Sequence, residues 1–302
     1  MAARGFSALL FFSTIAGGGT PVMWRSDRTS ADSRVVIDRL HSSNNAGHED
    51  SSFLNAVGAL WSDDIRKSGA GYDGATGYDA ATAFLIDRCH VLTNMHVVYS
   101  DPTVVDPPVG KAVAFGVGQT ERDNDRGALQ GMRLLLHGSV IAHGDTVIVE
   151  HRVRDPGSDW AMIRLETNVD DGIVPLTLAA VDHALLPRHL ALRAAGYPTD
   201  HRGLRRDGFK LKDLWGSEGR IVGIVPYGDG GALIRTTIQT TPGSSGGPVY
   251  GDFDGRHLVV GMIQSIPGNG IDVSDDAPNV QVLFTPGTLA QIAAAQARTP
   301  CP

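Results

Sequence analysis

The sequence predicts an all-β protein, and three observations carry that prediction. Short β-type runs recur about every ten residues between Gly, Pro and Asp turn signals. Glycine is frequent, at 37 of 302 residues. Helical periodicity is scarce and confined to one stretch near the C-terminus. The pattern fits barrels or a sandwich, with no repeat of fixed period and no low-complexity tract.

The elements follow in chain order. MAARGFSALLFFSTIAGGGT opens with Arg4, an apolar run from Phe6 to Ala16, then small residues. That run is too short to span a bilayer but suits the core of a signal peptide, with Thr14 and Ala16 before a cleavage point. Residues 1–20 are therefore expected to direct export to a secreted or periplasmic location; the alternative is a docked N-terminal strand. Residues 21–52, rich in Ser, Asp, Asn and Gly, read as an extended arm. Strands are expected at NAVGALW (55–61), ATAFLI (81–86), HVLTN (90–94), KAVAFGV (111–117), MRLLLHGSVIA (132–142), TVIVEHRV (146–153) and WAMIRLE (160–166). After a Pro-containing connection come HLALRAAGY (189–197), GRIVGIVPY (219–227), ALIRTTIQT (232–240), RHLVVGMIQSI (256–266) and VQVLFT (280–285). Residues 100–110 and 118–131 read as long surface loops. TLAQIAAAQAR reads as a helix capped by Thr288, with Leu289, Ile292, Ala293 and Gln296 on one face.

Composition excludes some classes. Apolar residues are 42% and charged residues 20%, which is globular rather than disordered. A net charge of −7 gives no basic field for nucleic acid. No stretch beyond the N-terminal run suggests membrane insertion. Cys89 and Cys301 leave two options open, a bridge from the first half of the fold to the C-terminal tail or two unpaired thiols. His90 and His96 match no HExxH spacing and no zinc pattern surrounds either cysteine, so no metal or cofactor is expected.

Three segments carry the chemistry. In HVLTNMHVV, His96 follows a strand. In GSDWAMIRLE, Asp159 opens one. In TTPGSSGGPVY, Ser245 sits among glycines. A serine hydroxyl is a poor nucleophile unless a neighbouring base takes its proton. His96 fits that role, and Asp159 at a strand entrance would hold the other ring nitrogen. The N–H groups of Gly243 and Ser245 would then bind the oxyanion, a contribution of about 3–4 kcal/mol per donor. Gly243, Ser245 and Gly247 also satisfy the G-x-S-x-G nucleophile elbow, but that motif needs a helix after the serine and a distant later histidine. Here a strand-like segment follows, and His257 comes too soon.

Together TNMHVV, DWAMIRL and GSSGGPV resemble the catalytic signatures of trypsin-like serine proteases, closest to the bacterial glutamyl endopeptidase-like group, with similarity to HtrA-type protease domains. GYP (196–198) before LWGSEGRI (214–221), and WRSDRT (24–29), are similar to further segments of that group. The resemblance implies two six-stranded antiparallel β-barrels with a C-terminal helix. The first barrel would span 53–175 and carry His96 and Asp159; the second would span 188–286 and carry Ser245; the helix would cover 287–298. It implies His96 as general base, Asp159 as its orienting partner, Ser245 as nucleophile, and Gly243 and Ser245 as oxyanion donors.

Ser244 stands where pancreatic-type enzymes carry an aspartate for a freed N-terminus, so that activation switch is not expected. Arg34 before Val35 is a candidate processing point. The resemblance places the specificity pocket at Gln239, Thr240, Ile263, Gln264 and Ser265, extending to Ile266 and to Val280–Leu283. No carboxylate stands at its base, and Ile263 replaces a charge-reading histidine. A small or apolar side chain before the scissile bond is therefore expected. The expected partners are polypeptide substrates, with no nucleic acid. The function expected is a serine endopeptidase acting through an acyl-enzyme; the alternative is a non-catalytic binding protein on a protease scaffold.

Overall fold

The computed structural model describes residues 35–36, 51–62, 81–99, 109–119, 132–145, 148–149, 152–153, 156–198, 214–227, 231–241, 243–265 and 278–302. The expected signal segment, WRSDRT, Arg34, most of the arm, Ile266 and the bulk of both long loops lie outside the described residues.

The strands are β1 (Val35–Val36), β2 (Val57–Ser62), β3 (Ala81–Leu85), β4 (His90–Thr93), β5 (Ala112–Gln119), β6 (Met132–His143), β7 (Ile148–Val149), β8 (Arg152–Val153) and β9 (Ala161–Leu165). They continue with β10 (Ala191–Gly196), β11 (Trp215–Tyr227), β12 (Gly231–Thr236), β13 (Pro248–Phe253), β14 (Arg256–Ser265) and β15 (Asn279–Leu283). The first barrel closes in the order β2-β3-β4-β9-β6-β5. The second runs β11-β10-β13-β14-β15-β12 and closes through β11–β12, with β1 added alongside β11. All these pairings are antiparallel, so the two expected barrels are both present. Closure removes the open edges that a sheet of this size would otherwise expose.

Burial follows from that closure. β3 is apolar apart from Thr82 and buried along its whole length, which is why ATAFL shows no polar–apolar alternation. Leu60, Phe84, Leu92, Phe115, Met162 and Ile163 fill the first barrel and are almost wholly shielded from solvent. Leu192, Ile221, Ile234, Val249, Val260 and Ile263 form the core of the second. Each such side chain contributes about 1.5–3 kcal/mol of burial, which is what holds the barrels shut.

The boundaries differ from expectation in several places. The run TVIVEHRV does not form one strand. Ile148–Val149 pairs back on Arg152–Val153 as a small two-stranded unit. β5 continues to Gln119, into the expected loop, because it pairs with β6 as far as Met132. PVYGDF forms β13 directly after the serine loop. The C-terminal helix spans Pro286–Arg298 and begins earlier than expected. Its cap is Thr285, whose side chain accepts from the Thr288 N–H at 2.9 Å, with Pro286 pre-set for the first helical position. Thr288, Ile292 and Ala295 face inward, and Ala293 is exposed. Beyond the helix, Cys301 and Cys89 form a disulfide, with Cα atoms 5.5 Å apart, which pins the tail to the β3–β4 turn.

Candidate active site

Register places the candidate residues before any side chain is considered. β4 ends where β9 begins, with Thr93 opposite Ala161. The residues just after Thr93 and just before Ala161 are therefore neighbours. His96 lies in the first group and Asp159 in the second.

The chain turns once as a short helix over Met95–Val98, closed by the Tyr99 N–H donating to the Met95 carbonyl at 3.0 Å. Met95, Val97 and Val98 are buried and anchor that turn, leaving His96 as its partly open member. On the facing side, the short 3-10 turn Pro156–Ser158 aims Asp159 inward, where its side chain is shielded completely. His96 Nδ1 donates to Asp159 Oδ2 at 2.7 Å, and the His96 backbone N–H donates to Oδ1 at 3.1 Å. Asn94 adds a bond from its Nδ2 to the Asp159 carbonyl at 2.9 Å.

The electrostatics follow from this packing. Burial of the imidazole disfavours its charged form. The Asp159 charge and its hydrogen bond more than offset that, so the pKa of His96 is raised above the ordinary histidine value of 6.5. With Nδ1 held by the carboxylate, Nε2 is the nitrogen left to exchange a proton. The ring is 21% exposed, which leaves it accessible from the cleft.

The serine loop comes from the other barrel. Pro248 pairs with Met262, so residues before β13 lie beside the end of β14. The loop is tied there by Gly246 N–H to the Ile263 carbonyl at 3.1 Å and Ile263 N–H to the Gly247 carbonyl at 2.9 Å. Inside the loop, Ser244 N–H donates to Thr241 at 3.0 Å and Gly247 N–H to Ser244 at 2.9 Å. The N–H groups of 244, 246 and 247 are thus spent. Among the described residues, those of Gly243 and Ser245 donate to no backbone carbonyl. Gly243 has φ +91° and Gly246 φ +82°, conformations that favour glycine. A Cβ on Gly246 would also lie 2.2 Å from Thr93 Oγ1 and 2.3 Å from the Thr82 carbonyl. Only glycine lets the loop press this closely against the segment leading to His96.

One residue that the sequence reading missed holds the halves together. Thr82, in the middle of β3 and fully buried, donates from its N–H to the Ser245 carbonyl at 3.1 Å. Its hydroxyl donates to the Gly243 carbonyl at 2.8 Å and accepts from the Tyr197 N–H at 2.8 Å. Its carbonyl accepts from Thr93 Oγ1 at 2.8 Å. The signal was present as a lone polar residue inside an apolar strand. Asn94 was also missed.

The five residues assigned to the specificity pocket are placed as follows. Gln239, Thr240 and Ile263 are buried beside the serine loop. Thr240 Oγ1 accepts from Asn279 Nδ2 at 3.2 Å, and the Gln239 N–H donates to Ser217 Oγ at 2.8 Å. Gln264 turns toward the other barrel, its Nε2 lying 3.4 Å from Asp159 Oδ2 and 3.5 Å from the Pro156 carbonyl. Ser265 is the last residue of β14. Gln281, on β15 opposite Ile263, is fully buried.

The arrangement sets a carboxylate-held imidazole near a glycine loop that carries a serine and, among the described residues, two N–H groups with no backbone acceptor. Comparisons with known proteins agree with the double barrel. A Glu endopeptidase in complex with MPD matches at 18% identity and a TM-score of 0.53, covering 87% of this chain and 96% of that one. The thermostable serine protease AL20 from an extremophilic microorganism matches at 16% identity and a TM-score of 0.50, covering 82% of this chain and 99% of that one. At such identities the likeness establishes the fold alone. None of the curated proteins matches the sequence. Residues 81–262, more than half of the sequence, match the family model for the trypsin-like peptidase domain, and the chain belongs to that family.

Proposed function

We propose that this protein is a serine endopeptidase in which Ser245 attacks the scissile carbonyl, His96 is the general base and Asp159 orients it. His96 Nε2 takes the hydroxyl proton as the acyl-enzyme forms and returns it to the leaving amine. Asp159 keeps the proton on Nδ1 and stabilises the imidazolium. The N–H groups of Gly243 and Ser245 hold the developing oxyanion. The carrying observation is the buried His96–Asp159 pair, at 2.7 Å, set beside a loop whose N–H groups are spent everywhere except at 243 and 245.

The substrates are polypeptides. The pocket strips at 239–240, 263–265 and 280–283 hold no carboxylate or cation, which supports a small or apolar side chain before the scissile bond. Export through the N-terminal apolar run completes the proposal. N-terminal sequencing of the exported protein tests it, and a start at Met1 refutes it.

Hydrolysis of a mixed peptide library by the native protein and by Ser245→Ala tests the mechanism and the preference together. Losing such a serine costs about a million-fold in turnover. Equal turnover by the two proteins refutes the assignment, and no turnover by either points to a non-catalytic binding protein on this scaffold.

A further inference from the structure

The disulfide sits inside an unusual set of groups. Asp87 and Cys89 lie on the β3–β4 turn, His90 opens β4, Cys301 arrives from the C-terminal tail, and their ligand atoms all fall within 4.8 Å of one another. A tetrahedron with metal–ligand bonds of about 2.0–2.3 Å has edges of roughly 3.3–3.8 Å. Three contacts are already near that spacing. Cys89 Sγ lies 3.5 Å from His90 Nδ1, Cys301 Sγ lies 4.0 Å from the same nitrogen, and Cys301 Sγ lies 3.4 Å from Asp87 Oδ1. The other adjustments are parting the two sulfurs and placing the ion between His90 Nδ1 and the Asp87 carboxylate, which lie 2.6 Å apart.

The surroundings are arranged as the outer contacts of a metal site are. His90 Nε2 faces Thr299 Oγ1 at 3.2 Å, and that hydroxyl donates to the Ala295 carbonyl at 2.9 Å. The hydroxyl is therefore an acceptor for Nε2–H, which leaves Nδ1 as the ligating nitrogen. Asp87 is oriented by the N–H groups of Cys89 at 2.9 Å and His90 at 2.7 Å, and by Gln296 Nε2 at 2.9 Å. His90 is 1% exposed, so its ring has no freedom to leave.

We propose that this cluster is a divalent-metal site of the reduced protein, taking a zinc-class ion on the thiolates of Cys89 and Cys301, His90 Nδ1 and the Asp87 carboxylate. A dithiol reductant transfers two electrons and two protons to the disulfide and is itself oxidised to a disulfide. On binding the ion, the two thiols release their protons to solvent, and His90 ligates through Nδ1 as the neutral ring with its proton on Nε2. The ion then takes over the disulfide's task of holding the tail, and with it the C-terminal helix, against the first barrel.

The test uses full-length Ser245→Ala protein, which removes self-cleavage and makes the readout independent of activity. The protein is reduced with a phosphine, desalted without oxygen, and titrated with Co²⁺ and then Zn²⁺. The expected result is thiolate-to-cobalt charge transfer with tetrahedral visible bands, bleached by zinc, and a higher melting temperature for the reduced protein when zinc is present. His90→Gln and Asp87→Asn each weaken cobalt binding at least tenfold, and the oxidised protein gives no charge-transfer band. Absence of the band from the reduced protein overturns the proposal. So does an unchanged band in both variants, or a band on a chain whose circular dichroism remains unfolded.

Discussion

Replacing Thr82 with valine removes one hydroxyl and preserves shape, and the structure sets the cost. The hydroxyl makes two bonds at 2.8 Å, a part-buried one to the Gly243 carbonyl and a buried one from the Tyr197 N–H. Valine removes the hydroxyl from the buried Tyr197 N–H and from a Gly243 carbonyl that is partly shielded. Losing the partner of a buried group costs about 1–3 kcal/mol and of a partly shielded one less, so the variant should lose roughly 1–4 kcal/mol of stability. The Gly243 carbonyl belongs to the peptide that leads into Ser244, so its release loosens the loop proposed to receive the oxyanion. Under the proposed mechanism kcat/KM should then fall about 10- to 100-fold, less than deletion of an oxyanion donor. Thr82→Ser is the control. It keeps both bonds and loses one buried methyl, about 1 kcal/mol. Urea unfolding gives the stability change at constant slope, and peptide hydrolysis gives the kinetic change. A Thr82→Val protein within about 0.5 kcal/mol of native stability and at native kcat/KM would refute the reasoning, since surface-like effects are that small.

Two further predictions concern charge. Under the proposed mechanism, in which the neutral ring is the base, the raised pKa of His96 places the acid limb of kcat/KM above the ordinary histidine value of 6.5. The ion pair's stabilisation has the opposite sense: it is full below the unfolded-state pKa and is lost as pH rises through the folded one. Asp159→Asn removes both contributions that raise the pKa, so its pH–rate limb should move to lower pH while kcat drops about 10⁴-fold. Asp87 is raised by burial but lowered more by bonds from the His90 ring and the Cys89 and His90 N–H groups, to about 2. Discounted for a side chain one-third exposed, Asp87→Asn should cost roughly 1–2 kcal/mol at neutral pH. That difference is present above the usual carboxylate range and should vanish as pH falls through about 2, which denaturation at several pH values checks.

The sequence made the strands legible wherever a run was long and apolar, because burial on both faces of a closed barrel demands such runs. β3, β4 and β9 fell within two residues of expectation for that reason. TVIVEHRV departed from expectation because its described residues, Ile148–Val149 and Arg152–Val153, pair with each other. The helix start slipped because Thr285 and Thr288 are equally good caps by type, and only Pro286 at the first position decides between them. His96, Asp159 and Ser245, the residues of the proposed triad, were named from their local motifs. Thr82 and Asn94 were not, since each acts through partners distant along the chain, as with Thr82 and Gly243, 161 positions apart. The cysteine cluster was hidden likewise. Asp87, Cys89 and His90 lack a zinc-like spacing because their companion, Cys301, stands 212 residues beyond Cys89.

The central claim is that the Ser245 hydroxyl is activated by His96. Treating the native protein with a fluorophosphonate and mapping the adduct by mass spectrometry tests it most directly. The account predicts a single adduct on Ser245 that is lost in Ser245→Ala and in His96→Ala. An unlabelled native protein, or an adduct that persists at the same rate without His96, would contradict it.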